Sequence, residues 1–88
     1  MKIHYDAAKN ARNIAARGLS FDRVADFDFE TAKVREDVRR AYPERRFVAL
    51  GWLEGRLHVL CMTPVTDGIR VISFRKANLR EQGNYEHT

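Results

Sequence analysis

Three runs rich in branched and aromatic residues follow one another almost without interruption: Phe47 to Leu53, Leu57 to Val65 and Ile69 to Phe74. Only Glu54-Gly55 and Thr66-Asp67-Gly68 lie between them. Separators this short, each carrying a glycine, read as hairpin turns. A parallel pair would need a crossover of a dozen or more residues, so the three strands must be consecutive and antiparallel. Both faces of the runs carry apolar groups. One face therefore covers the core, and the other has a partner or a site to cover it.

The rest of the chain is read around that sheet. Ile3 to Tyr5 fits a short first strand. Asp6 is a good N-cap for a helix that runs to Arg17 and stops at Gly18. Ala7, Ala8, Ala11, Ile14 and Ala15 fall on one helical face, which predicts a small apolar stripe lying against the sheet. Ser20 caps a second, shorter helix whose apolar side is Phe21, Val24, Ala25 and Phe29, so the two helices are expected to form a hairpin. Thr31 to Arg39 is dense in charge, as an edge strand that discourages further pairing would be. Tyr42-Pro-Glu-Arg45 is a turn, and Lys76 to Tyr85 resumes helical character. At 88 residues the expected organisation is one domain over 1–88, with no room for a deep cofactor cleft.

Several chemistries find no support in the residues. His4, His58 and His87 are dispersed, and none is spaced for metal ligation with a carboxylate or cysteine. There is no Gly-rich phosphate loop and no Gly-x-Ser-x-Gly elbow. The single cysteine, Cys61, sits inside an apolar run and reads as a small buried hydrophobe, in keeping with a reducing compartment. The N-terminus has no apolar core of signal-peptide length and no window approaches a membrane span, which predicts a cytoplasmic protein.

Cationic chemistry remains. Sixteen Lys and Arg against twelve Asp and Glu give +4, which points to a polyanion or an acidic protein as partner. The strand end and tail after Ile69 carry Arg75, Lys76 and Arg80 at a strand-to-helix junction, where rigid backbone is expected to converge them on one phosphate. Arginine binds phosphate bidentately and stabilises a pentacovalent transition state, and a nearby Tyr, His or Lys can move a proton. Such a site can cleave RNA without a metal by using the ribose 2′-hydroxyl, which DNA lacks. Each residue also has a structural reading. Arg46 can pair with Glu44 or Glu36, Lys9 and Arg12 can be a solvated helix face, Tyr85 can anchor the C-terminus, His58 can be a satisfied interior histidine, and Trp52 can be core or interface.

Four segments in order resemble the BrnT family of toxins from bacterial type II toxin-antitoxin systems. They are Tyr5-Asp-Ala-Ala-Lys-Asn-Ala-Arg-Asn13, Gly18-Leu-Ser-Phe-Asp22, Arg46-Phe-Val-Ala-Leu-Gly51, and Arg70-Val-Ile-Ser-Phe-Arg-Lys-Ala77 with Glu81 and Tyr85. The resemblance implies an α+β, RelE-like fold with an N-terminal helical hairpin packed on a small antiparallel sheet and a C-terminal helix. It also implies a ribonuclease that blocks translation, needs no cofactor or metal, and is neutralised in a hetero-oligomer by a BrnA-like antitoxin. DNA would be reached only through that antitoxin. By position, Arg46, Arg70, Arg75, Glu81 and Tyr85 match the family, as do Asp6, Lys9 and Asn13. Arg75 is then assigned the transition-state phosphate, Arg46 a second phosphate contact, and Tyr85 or Lys9 the proton transfers; Glu81 orients a basic neighbour. Arg70, Lys76, Arg80 and Arg17 are the expected nucleic-acid contacts. The chain departs from the family in having Ala16-Arg17-Gly18 where Lys-His-Gly is usual, so the customary histidine is missing. Phe74 stands where a small residue is usual. The alternative reading is a non-catalytic binding module acting within a repressor complex.

Overall fold

A computed structural model describes residues 1–86. The three hairpin-linked runs are strands β3 (Phe47–Leu53), β4 (Arg56–Val65) and β5 (Gly68–Lys76), each paired antiparallel to the next. Glu54 and Gly55 both take positive φ, 48° and 76°, the left-handed pair that lets a two-residue turn match the strand twist. Two further strands flank them. Lys33–Glu36 forms β2 on the open side of β3. At the other edge Lys2–His4 forms β1, which runs parallel to β5 with Lys2 opposite Gly68. The sheet order is β1-β5-β4-β3-β2.

This overturns the expected architecture. The short first strand read from Ile3 to Tyr5 is present as β1, but the sheet it joins is five-stranded and mixed rather than purely antiparallel, and no N-terminal helical hairpin exists among the described residues. The parallel pairing depends on Gly68: a Cβ there would lie 1.9 Å from the Lys2 carbonyl oxygen, so only glycine admits β1 at this edge.

The missing hairpin has a local cause. Helix α1 (Ala7–Arg17) begins at Asp6, whose carboxylate accepts the Lys9 amide, and ends at Gly18. The next element is a 3-10 helix, Phe21–Asp26, and not a second α-helix. Phe21, Val24 and Phe27 recur every third residue and are all buried, and a three-residue period stacks them on one side only in a 3-10 turn. The alanine stripe does not lie against the sheet. No residue of α1 is buried, and Ile14 is 45% exposed. The helix is instead tied down by its polar side. Asn10 accepts the Phe21 amide at 2.8 Å, while the Asn13 amide donates to the carbonyls of Leu19 (2.9 Å) and Phe74 (3.0 Å). Thus α1 closes the edge of β5 beyond the point where β1 stops.

The main core lies between the sheet and the segment after α1. Leu19, Phe21, Val24 and Phe27 meet Ala49, Leu53, Leu60, Met62, Ile69, Val71 and Phe74. Phe74 is fully buried at the centre, with Phe27 edge-on at 6.0 Å and the His58 ring at 5.4 Å. The opposite face carries a smaller cluster, Leu57, Val59 and Ala77 with Val48, Leu50 and Tyr85, beneath helix α2 (Leu79–Glu86). The tail helix starts later than its composition predicts because β5 continues through Lys76, and Asn78 and Glu81 form a capping box: each side chain accepts the other's amide, at 2.8 and 2.9 Å.

Two substitutions separate these contributions. Phe74→Ala removes a fully buried ring and is expected to lower unfolding free energy by about 3–5 kcal/mol, seen as a lower urea midpoint. Gly68→Ala is expected to release β1 alone, so that hydrogen exchange accelerates at the Lys2 amide, which donates to Asp67, while the central strands stay protected.

Candidate functional site

Strand register arranges the second face of the sheet in cross-strand rows. Lys33, Leu50, Val59 and Arg75 stand opposite one another across β2, β3, β4 and β5, and Arg35, Val48, Cys61 and Ser73 make the next row. In the third, Arg46 precedes Phe47, whose partner is Met62, and Thr63 pairs with Arg70, so Arg46, Thr63 and Arg70 line up. A bulge makes this possible. Cys61 pairs with Ser73 but Met62 with Val71, leaving Ile72 as an extra residue in β5. Without it Arg70 and Arg75, an odd number of positions apart, would point to opposite faces.

Helix α2 covers the first row, and the segment from Asp37 to Arg46 encloses the third. The middle row lies open between them as the floor of a trough. Val48 and Cys61 are half-buried there, and Ser73 and Arg35 are exposed. Cys61 is therefore not the wholly buried hydrophobe that its apolar run implies. Its thiol is still pushed up, first by burial and then by Asp37, with the charges of Arg46, Arg39 and Lys9 opposing.

The arginines along the trough are held by carboxylates. Arg75 makes two 2.8 Å hydrogen bonds to Glu81 in a bidentate pair, and a third bond to the Lys76 carbonyl at 3.3 Å. Those bonds hold Glu81 down to about 2, against an ordinary 4.5, despite the opposing cost of burial, and they raise Arg75 in return. At the far end one oxygen of Glu44 accepts from both Arg46 and Arg70, each at 3.1 Å. Arg46 also lies over the Tyr42 ring at 4.2 Å. Tyr42 in turn donates to Asp37, whose carboxylate is forked by Arg39 and sits far below the usual carboxylate range because of those bonds.

The structure thus brings together Arg46, Arg70 and Arg75, but not on one phosphate. Because of the bulge, Arg75 and Arg70 stand opposite Val59 and Thr63, four steps apart, or about 13 Å at ~3.3 Å per residue, so they suit separate phosphates of one strand. Lys9 is exposed on α1 and, with Arg12, Ile72 and Ser73, lines a hollow at the β5 end of the middle row. Arg80 is exposed on the first turn of α2. Lys76 does not join Arg75: it stands opposite His58 on the other face, where Arg17 also lies. The expected convergence of Arg75, Lys76 and Arg80 fails because consecutive strand residues alternate sides.

Tyr85 is placed as an anchor. Its hydroxyl donates to the Thr31 carbonyl at 2.9 Å and accepts from the Trp52 indole at 3.1 Å. Lys33 sits 4.6 Å over its ring. Asp6 and Asn13 serve as cap and tie. Of the three histidines, His4 bonds Asp67 at 2.8 Å, His58 is buried, and His87 lies outside the described residues. Among the described residues no group of three or more His, Cys, Asp or Glu is placed to hold a metal, and no helix is long and apolar enough to cross a membrane. Sequence reading missed the shared role of Glu44, the floor of Val48, Cys61 and Ser73, and the Asp37-Arg39-Tyr42 lock. The Asn78-x-x-Glu81 spacing was the one readable signal for the helix start.

A family model described as "Ribonuclease toxin, BrnT, of type II toxin-antitoxin system" matches residues 5–81. A search among curated proteins finds no match to the chain.

The depressed Glu81 predicts a pH signature. A carboxyl whose folded value lies below its unfolded value stabilises the fold above the unfolded value, and loses that contribution as pH falls through the folded one. Wild type is therefore expected to exceed Glu81→Gln in stability at pH 7, and the difference should shrink between about pH 4.5 and about pH 2. Urea midpoints of the two proteins across that range check it.

Proposed function

The chain belongs to the BrnT family of ribonuclease toxins of type II toxin-antitoxin systems, and from that premise we propose that it cleaves RNA along the trough between Arg75 and the Arg46–Arg70 pair. The observation that supports the reading is the bulge at Ile72, which puts Arg70 and Arg75 on one face around an uncovered floor. An extended RNA strand meets cations at both ends of that floor. Between them lie no acidic side chains of the central strands, only Val48, Cys61 and Ser73.

Arg75 is the residue we assign to the reacting phosphate. A guanidinium has five N–H donors, three of which are engaged by Glu81 and the Lys76 carbonyl, so two remain for phosphate oxygens. Glu81 and the capping box hold the group in place in advance, which matters because a preoriented charge needs no reorganisation as the phosphorane forms. Arg46 and Arg70, fixed by Glu44 and the Tyr42 ring, grip a second phosphate of the same strand.

The chemistry is set by the ribose. The 2′-oxygen attacks its own phosphorus while its proton passes to water. The phosphorus–O5′ bond breaks, and the ammonium of Lys9 protonates the departing 5′-oxygen. Products are a 2′,3′-cyclic phosphate and a 5′-hydroxyl. We assign the proton to Lys9 over Tyr85 because the Tyr85 hydroxyl already donates to Thr31. No metal is required, since arginine supplies the charge. Cleavage of this kind inhibits translation in the cytoplasm. A BrnA-like antitoxin forms a hetero-oligomer with the protein by covering the trough, and contact with DNA runs through that partner.

One observation favours the rival reading of a binding module: Arg46, Arg70 and Arg75 are all paired with carboxylates in the free protein. Labelled RNA in EDTA separates the two. Cleavage leaving cyclic phosphate ends is expected, slowed about 10²- to 10³-fold by Arg75→Ala with the circular dichroism spectrum unchanged. Retention of RNA without cutting by the wild-type protein would establish the module instead.

A further inference from the structure

The other face of the sheet holds a cavity of about 440 Å³ at the end where β3 turns into β4. Arg17 from the last turn of α1, Arg23 from the 3-10 helix, and Arg56 and Lys76 from paired strands all line it, so four separate elements deliver cations to one space. Arg23 is occupied by Glu54, and Arg56 donates to the Ala77 carbonyl at 3.0 Å. The side chains of Arg17 and Lys76 make no hydrogen bond or ion pair among the described residues. These two like charges have no counter-ion of their own among the described residues, and an anion between them relieves their repulsion.

His58 gives the cavity its selectivity. The residue is only 3% exposed, and its Nδ1 lies 2.8 Å from the Arg56 carbonyl. A carbonyl can only accept, so Nδ1 carries the proton and Nε2 of the neutral ring carries a lone pair. That nitrogen makes no hydrogen bond among the described residues, yet it is not sealed from solvent, and His58 lines the cavity. Burial first, and then the charges of Arg56, Lys76 and Arg23, push the ring below its ordinary 6.5, against the opposing hydrogen bond to the Arg56 carbonyl. The Glu54 carboxylate also lines the cavity but is engaged by Arg23, so the site offers donors from Arg17 and Lys76 and an uncommitted acceptor at His58.

The dianion of a phosphate monoester carries only acceptors and leaves Nε2 unmatched. A ribonucleotide phosphate with a free hydroxyl on the adjoining carbon matches both. We propose that this cavity is a second RNA site, in which Arg17 and Lys76 hold a 3′-phosphate and His58 accepts a hydrogen bond from the 2′-hydroxyl of the same nucleotide. The volume suits a ligand of this size. The proposal rests on the reading above only in taking RNA as the polyanion. It does not need the trough to be the cleaving centre.

The test titrates uridine 3′-monophosphate, its 2′-deoxy analogue and inorganic phosphate into the full chain while following the imidazole nitrogens of His58 by NMR. Saturating shifts are expected for the ribonucleotide. Removing one hydrogen bond to a buried acceptor should weaken the deoxy analogue by about tenfold or more, and inorganic phosphate should also bind more weakly. Arg17→Ala and Lys76→Ala, both at exposed positions, should each reduce affinity, while Arg75→Ala should leave the titration of His58 unchanged even though it slows cleavage. The proposal is overturned if His58 does not respond to the ribonucleotide, if all three probes bind equally, or if neither Arg17→Ala nor Lys76→Ala weakens binding.

Discussion

Strand β4 is hydrogen-bonded along both sides, to β3 and to β5, and the rest of the molecule takes its positions from that ladder. A shift of one residue in either pairing would turn every side chain of the moved strand to the other face. Leu60 and Met62 point into the main core, and Cys61 and Thr63 point the other way. Burial of the first pair therefore fixes the direction of the second, and with it the faces that Arg75 and Arg70 occupy. The site is a consequence of core packing on its reverse side.

Around that ladder the cations are organised by acids. Glu81 closes the capping box of α2 and also forks Arg75, so the position of the helix and the aim of the guanidinium are one arrangement. Glu44 acts in the same way on Arg46 and Arg70. The net +4 is therefore a poor guide to where anions bind. Surface pairs contribute little stability by themselves, but here each restricts a long side chain to one orientation at the rim of the trough. By contrast, Arg17 and Lys76 are left without counter-ions among the described residues on the opposite face, beside a histidine whose burial pushes its pKa down.

Much was legible where the chain obeys a single period. Hairpin separators gave β3, β4 and β5 almost to the residue, and Asp6 and Gly18 bounded α1. Legibility ended where local pattern had two readings. Phe21, Val24 and Phe27 satisfy a three-residue period as well as an α-helical one, and only the space over Phe74 selected the former. The alanine face of α1 looks like a packing stripe. Yet the side that faces the protein is Asn10 and Asn13, because they satisfy buried backbone groups that alanine cannot reach.

The candidate site shows the same division. Residue types and order along the chain named Arg46, Arg70 and Arg75, and membership of a ribonuclease toxin family is written in those segments. Counting by twos along β5 puts Arg75 with Val71 and against Arg70, and the opposite is found. Ile72 bulges because the strand must bury Val71 and Phe74, three positions apart, on one side of the sheet. Sequence alone determined which charges the chain carries and which strands hold them. Tertiary packing decided which of them share a surface, since the sides of a strand are assigned by what its neighbours can bury.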